Sequence, residues 1–327
     1  MNHRMFGKEQ IEVSEVGMGC WQIGAGWGTV KDDTARDILQ TALDQGITFF
    51  DTADVYGDGR SEKLVGEFFR KNRDNIFIAS KVGRTPDLYP DGYTKEKVKY
   101  RIQKSLQRLQ IEPLDLIQTH CIPRKMMEDG EIFEWLSDFK KEGLIRNFGA
   151  SVESMEEAKI CMQHPELYSL QIIFNIFRQN PAEEVLDKAK EKQIGIIARV
   201  PLASGLLSGK FTKESSFPLN DHRNFNRSGK FFNIGETFAG LPFDKGIELA
   251  DEIKNLMPED FTAMSQFALR WILDHDAVSA VIPGASRPEQ AKLNASASEL
   301  PPLGNEIHQK LGNIYKNKVE PLIQGHY

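Results

Sequence analysis

The feature that most constrains this chain is an alternation. Short apolar runs take turns with stretches whose apolar residues recur at helical spacing, and the cycle is read eight times. The apolar runs fall at residues 15–20, 48–52, 76–81, 114–120, 145–151, 170–174, 195–200 and 277–283. After the first, Ala35, Ile38, Leu39, Ala42 and Leu43 make one helical face, opened by Asp32 and stopped by Gly46. Leu64, Val65, Phe68 and Phe69 make the next, and Val98, Ile102, Leu106 and Leu109 the one after it. Asn180-Pro181-Ala182-Glu183 reads as a cap, a proline and an acid at a helix start, and Ser286-Arg287-Pro288-Glu289 as a capping box. Residues 203–243 break the rhythm, being rich in Gly, Ser, Asn, Phe and Pro and too long for a plain connector.

Eight is the number of strand–helix units that closes a parallel sheet on itself. The expected fold is therefore a (β/α)8 TIM barrel in one domain over residues 1–327. A hairpin within residues 1–14 precedes it, the long loop follows strand seven, and a helix over 306–316 ends it. An open doubly wound sheet is the alternative, weakened because no Gly-x-Gly-x-x-Gly joins a strand to a helix. The 40% apolar content suffices for a large core. A net charge of −6, without a run of five like charges, argues against a nucleic-acid or anionic-membrane partner. No apolar run approaches membrane-spanning length and the first residues carry no signal-peptide pattern. Three scattered cysteines point to reduced thiols and a cytoplasmic protein.

On a parallel barrel the C-terminal strand ends share one mouth. Three successive runs end at Asp51, Lys81 and His120, and Tyr56 lies on the loop after the first. Each has an ordinary reading singly, as a strand-closing acid, a solvated lysine, a core histidine and a packed loop tyrosine. Together they make a chemical set. A phenol ionises near pH ~10. A neighbouring ammonium favours the phenolate and lowers that value. A carboxylate keeps the ammonium charged out of water, and an imidazole orients a carbonyl oxygen. The set is a general acid suited to hydride addition to a carbonyl.

At this point the chain resembles the aldo-keto reductases, most closely the bacterial stress-type members. The matching segments are Gly17-Met18-Gly19-Cys20-Trp21, Asp51-Thr52-Ala53-Asp54-Val55-Tyr56-Gly57 with Ser61-Glu62, Ser80-Lys81, and Asp115-Leu116-Ile117-Gln118-Thr119-His120. Further on come Gly149-Ala150-Ser151, Pro201-Leu202-Ala203-Ser204-Gly205-Leu206-Leu207, and Ile282-Pro283-Gly284-Ala285-Ser286-Arg287-Pro288-Glu289-Gln290. The resemblance implies an NADPH-dependent reductase of aldehydes, with ketones as a further substrate class, Tyr56 as proton donor, Lys81 and Asp51 as its tuning pair and His120 orienting the carbonyl. It implies that Ser151 and Gln171 hold the nicotinamide carboxamide, with Gly19, Cys20, Trp21 and Asp51 nearby. Arg199, Val200, Pro201, Leu202, Ser204, Gly205, Leu206 and Lys210 would follow the cofactor to its pyrophosphate. Gly284, Ser286, Arg287, Gln290 and Asn294 would take the adenosine end, where a helix N-terminus also favours phosphate. Trp21, Trp27, Tyr56 and Ile122 would shape the substrate pocket.

Two positions depart from the family pattern. Val152 stands where an asparagine commonly follows the serine, and Arg199 stands where an aromatic ring usually stacks on the nicotinamide. The expectation for Arg199 is either contact with the ring or a turn away to pair with an acid. A cofactor-binding regulatory subunit resembling potassium-channel β chains is the alternative function; the start of this chain, close to its hairpin, favours the enzyme. A metal-dependent hydrolase is a third reading, for which the sequence offers poor material: of seven histidines only His120 closes a run. No metal is expected, and a monomer is favoured.

Overall fold

The computed structural model describes residues 1–71, 73–325 and 327. The chain opens with an antiparallel hairpin, β1 (His3–Phe6) and β2 (Ile11–Ser14). Eight parallel strands follow: β3 (Met18–Gly19), β4 (Phe49–Asp51), β5 (Phe77–Val82), β6 (Leu114–His120), β7 (Ile145–Ser151), β8 (Ser169–Ile173), β9 (Gly195–Arg199) and β10 (Val278–Val281). Each pairs with its neighbour in sequence. Bridges Val16–Val281 and Gly19–Gly284 join the first strand to the last. Across that seam Gly17 N–H donates to Val281 O at 2.8 Å, and Val281 N–H to Glu15 O at 2.9 Å. The sheet is thus closed, as the eightfold alternation predicts. Its strands read as continuous apolar runs because side chains fill the inside and helices cover the outside.

The hairpin seals the floor. Phe6 meets Phe49, Phe77 and Tyr168 edge to face, with ring centroids 5.5, 5.4 and 5.3 Å away. The Tyr168 hydroxyl donates to Phe6 O at 2.7 Å. Gly195 is required here, since a Cβ would sit 2.4 Å from the Phe6 ring. With the floor filled by aromatic rings, the open end of the barrel is the mouth at the strand C-termini.

The helices lie where spacing places them. Asp32–Asp44 buries Ala35, Ile38, Leu39 and Ala42. In Lys95–Leu109 the Thr94 hydroxyl caps the N-terminus by accepting from Lys97 N–H. Two caps differ from expectation. Asn180 is the first helical residue rather than the cap, which is Gln179. The Ser286–Glu289 capping box does not form. Pro288–Ala295 takes Arg287 as its cap residue, and Gln290 reaches back to accept from Ser286 N–H at 2.8 Å and Ser286 Oγ at 3.0 Å. Counted from Arg287, Gln290 holds the capping-box position, but its side chain closes on Ser286, the residue before the cap, rather than on the cap's own N–H. Residues 203–243 contain single 3-10 turns and a short helix, His222–Phe225. A helix the sequence reading left out, Phe243–Lys254, follows them.

Candidate active site

The strand ends converge as expected. The Lys81 ammonium pairs with Asp51 Oδ1 and donates to Thr52 O at 2.8 Å and to the Tyr56 hydroxyl at 3.2 Å. Tyr56 and His120 meet edge to face with centroids 5.9 Å apart. Asp51 and Lys81 are only 2% and 1% exposed, so their charges stand out of water and depend on one another. Asp51 Oδ2 also accepts from Gln171 Nε2 at 2.8 Å and Gln118 Nε2 at 3.2 Å. Three donors therefore hold one carboxylate in place. Gln118 was missed by sequence reasoning, although a signal existed. It lies two residues before His120 on β6, hence on the same inward face.

The electrostatics differ from the simple expectation for the phenol. Burial pushes Tyr56 up to about 12, and Lys81 opposes this without overcoming it. The phenol is therefore a firmly protonated acid at neutral pH. Burial weighs most against the Lys81 charge, but Asp51 and Tyr56 together more than offset it and hold the ammonium above its usual value. His120 is driven well below its ordinary range by burial and then by the positive charges of Lys81, Arg84 and Arg199, so the imidazole is neutral.

A cavity of about 790 Å³ runs from Tyr56 and His120 at the barrel mouth to Arg287 and Asn294 at the helix Pro288–Ala295. Nearly every residue assigned to the site lines it, including Gly19, Cys20, Trp21, Trp27, Ser151, Gln171, Arg199 and Gly205. Val200, Pro201, Leu202, Lys210, Gly284, Ser286 and Gln290 line it too. Three assigned residues do not. Lys81 lies behind Tyr56, buried in contact with Asp51. Ile122 is buried away from the cavity, filling the space above Gly83, where a Cβ would come within 2.6 Å of it. The turn that sends it there runs through Cys121 at φ 44°, so Cys121 takes the place at the wall. Leu206 also turns outward, packing on Gly246 of the helix Phe243–Lys254. The Ser204 hydroxyl is used within the loop: it donates to Glu236 O at 2.8 Å and accepts from Phe238 N–H at 3.1 Å.

One wall of the mouth is aromatic. Trp21 stacks on Tyr56 at 5.8 Å and meets Trp27 and Phe232 edge-on at 5.5 and 6.0 Å. His222, pushed down to about 4 by burial, packs on Trp27 at 4.3 Å and ties the long loop to Gly26 O through Nδ1 at 3.1 Å. The facing wall is charged. Arg84 donates to Cys121 O at 3.2 Å and to Glu153 at 2.7 Å. Arg199 pairs with Glu236 and donates to Val152 O at 2.8 Å. Cys121, Glu153 and Glu236 lie close enough together to be weighed as cation ligands. Both carboxylates already face guanidinium groups, and burial pushes the Cys121 thiol up to about 11. That is poor material for a metal site.

At the far end Arg287 is exposed and makes no ion pair among the described residues; Lys210, elsewhere on the cavity wall, is also exposed and unpaired among them. A guanidinium at a helix N-terminus, with the Lys210 ammonium on the wall of the same cavity, suits a phosphate-bearing ligand. The site as a whole therefore offers an acid at one end and an anion cradle at the other.

The comparisons agree with this geometry. The chain is 30% identical over 325 residues to the uncharacterized oxidoreductase YqkF of Bacillus subtilis, covering 98% of each chain. Its structure is similar to the aldo-keto reductase AKR11C1 of Bacillus halodurans, with a TM-score of 0.77, 27% identity and coverage of 100% of this chain and 98% of that one. It is also similar to the glycerol dehydrogenase AKR11B4 of Gluconobacter oxydans, with a TM-score of 0.79, 27% identity and coverage of 99% and 98%. The model of the Aldo/keto reductase family matches residues 15–316, and the chain belongs to that family.

Proposed function

We propose that the protein is an NADPH-dependent oxidoreductase that reduces aldehydes to alcohols, with Tyr56 as general acid. The observation that carries the reading is the Tyr56 hydroxyl 3.2 Å from a buried ammonium that Asp51 fixes, at the mouth of an elongated cavity. The cavity's free cations, Arg287 and Lys210, and its helix N-terminus fit a dinucleotide with an extra phosphate. Bound there, NADPH would supply the hydride that adds to the carbonyl carbon.

The rest is the work of this chain's residues. Ser151 and Gln171 line the cavity with Asp51, Tyr56 and His120, where they would hold the carboxamide end of the cofactor. Gln171 would do so while its amide nitrogen also braces Asp51. The aromatic wall of Trp21, Trp27 and Phe232 seats the body of the aldehyde and excludes water. Neutral His120 and protonated Tyr56 face its oxygen. As negative charge develops on that oxygen, the Tyr56 proton passes to it, and the phenolate left behind lies against the Lys81 ammonium.

The test is NADPH oxidation against a panel of aldehydes and ketones, with Tyr56→Phe measured in parallel. The expected loss in turnover is at least ~10²-fold, the scale of general acid catalysis, with NADPH affinity little changed. A mutant that reduces aldehydes at the wild-type rate would remove Tyr56 from the role. A wild type that binds NADPH and never turns it over would be a cofactor-sensing subunit instead.

A further inference from the structure

The two positions where this chain leaves its family's pattern touch each other. The Arg199 guanidinium, at the end of β9, donates to the carbonyl oxygen of Val152, just past β7, at 2.8 Å. Its other arm pairs with Glu236, brought from the loop of residues 203–243. Both side chains are largely withdrawn from solvent, at 7% and 15% exposed. The Glu236 backbone is itself pinned. Its carbonyl accepts from Ser204 Oγ at 2.8 Å, and its N–H donates to Asn233 O at 3.1 Å. Arg199 and Glu236 line the same cavity as Ser151, Gln171 and Tyr56.

We propose that Glu236 is a positioning residue that cancels the Arg199 charge at the nicotinamide end of the cavity, so that the site accepts oxidised and reduced cofactor on nearly equal terms. The inference rests on the cofactor reading given above. Its physics is that of one charge. The oxidised nicotinamide ring carries a positive charge and the reduced ring does not. An uncompensated guanidinium about 4 Å from the ring would select strongly against the oxidised form in this weakly screened place. A carboxylate paired with that guanidinium leaves a flat, hydrogen-bonded platform of zero net charge. An aromatic ring would give the same neutrality without a partner. Here the neutrality is divided between the barrel and the loop.

The experiment is a pair of titrations, NADPH and NADP⁺, on wild type, Glu236→Gln, Arg199→Met and the double variant, following intrinsic fluorescence. Glu236→Gln should raise the ratio of the NADP⁺ to the NADPH dissociation constant about tenfold or more. Arg199→Met, which leaves the carboxylate alone, should lower that ratio by a similar factor. The double variant should return to within about threefold of wild type, as charge cancellation requires. Opposite signs in the two single variants are the signature, since a mere tether for the loop would shift both constants alike. Equal shifts for the two cofactors in either single variant overturn the proposal. If Glu236→Gln does not fold, Arg199→Met against the double variant carries the same comparison. A wild type that binds neither cofactor is the failure of the cofactor reading itself, and takes this inference with it.

Discussion

Asp51 accepts from Lys81, Gln118 and Gln171 at once, and that arrangement explains how an ammonium survives almost fully out of water. A buried ion pair is stable only when its remaining lone pairs are satisfied, and breaking one side leaves an uncompensated charge. Lys81 in turn acts on Tyr56, opposing the upward push of burial. Lys81→Met should therefore raise the phenol further as well as slow the reaction. Oxidation of an alcohol requires the phenolate, so its rate climbs with pH as the phenol ionises. In the variant that climb should move to higher pH, read from the pH–rate profile of the oxidation direction. An unmoved profile would place Lys81 outside the proton-transfer path. At this scale the sequence was readable where chemistry and strand position coincide, as at Asp51, Lys81 and His120. Gln118 was readable in principle, from the two-residue parity of β6. Glu236 was not, because it arrives on a loop whose path no periodicity fixes.

Among the elements, the strands and most helices were legible because each buries one apolar face at a fixed period. Residues 114–120 and 145–151 coincide with β6 and β7 as read from their apolar runs. The helix Phe243–Lys254 escaped because it follows the irregular loop and carries Gly246, which looks like a breaker. The structure gives that glycine its reason: a Cβ there would stand 2.5 Å from Leu206, whose packing turns it away from the cavity. The helix Pro288–Ala295 carries a prediction of its own. Arg287 is its cap residue, exposed at the cavity's far end. If it meets the 2′-phosphate, Arg287→Ala should raise the KM for NADPH by about tenfold while leaving that for NADH within about twofold, as loss of one charge-assisted contact requires. Steady-state kinetics with both cofactors decide it, and equal changes would assign the phosphate to another cation.

At the scale of the whole molecule, the fold leaves Asp54, on the loop after β4, stranded. Both Asp54 oxygens are buried without a hydrogen-bond partner among the described residues. Burial, with Glu62 adding to it, pushes this carboxyl up to about 7. The unfolded chain releases that proton near pH ~4, so between the two values the folded state binds more protons than the unfolded one. Stability from this group is therefore present at low pH and is lost as pH rises through about 7. Asp54→Asn should remove that loss and stabilise the protein at pH ~8 by at least ~1.4 kcal/mol, one pKa unit's worth, with little effect near pH ~4. Urea unfolding at the two pH values checks it; an equal effect at both would mean the carboxyl is not the cause.

The seam between β3 and β10 bears on how the chain is made. Gly19 and Gly284 bridge across it and both border the cavity, one from each end of the strand order. A ribosome releases Gly284 only after the strands β4 to β9 that separate it from Gly19. No nascent fragment can therefore present the completed mouth. The growing polypeptide must carry seven strands with an open edge until the eighth arrives to shut it.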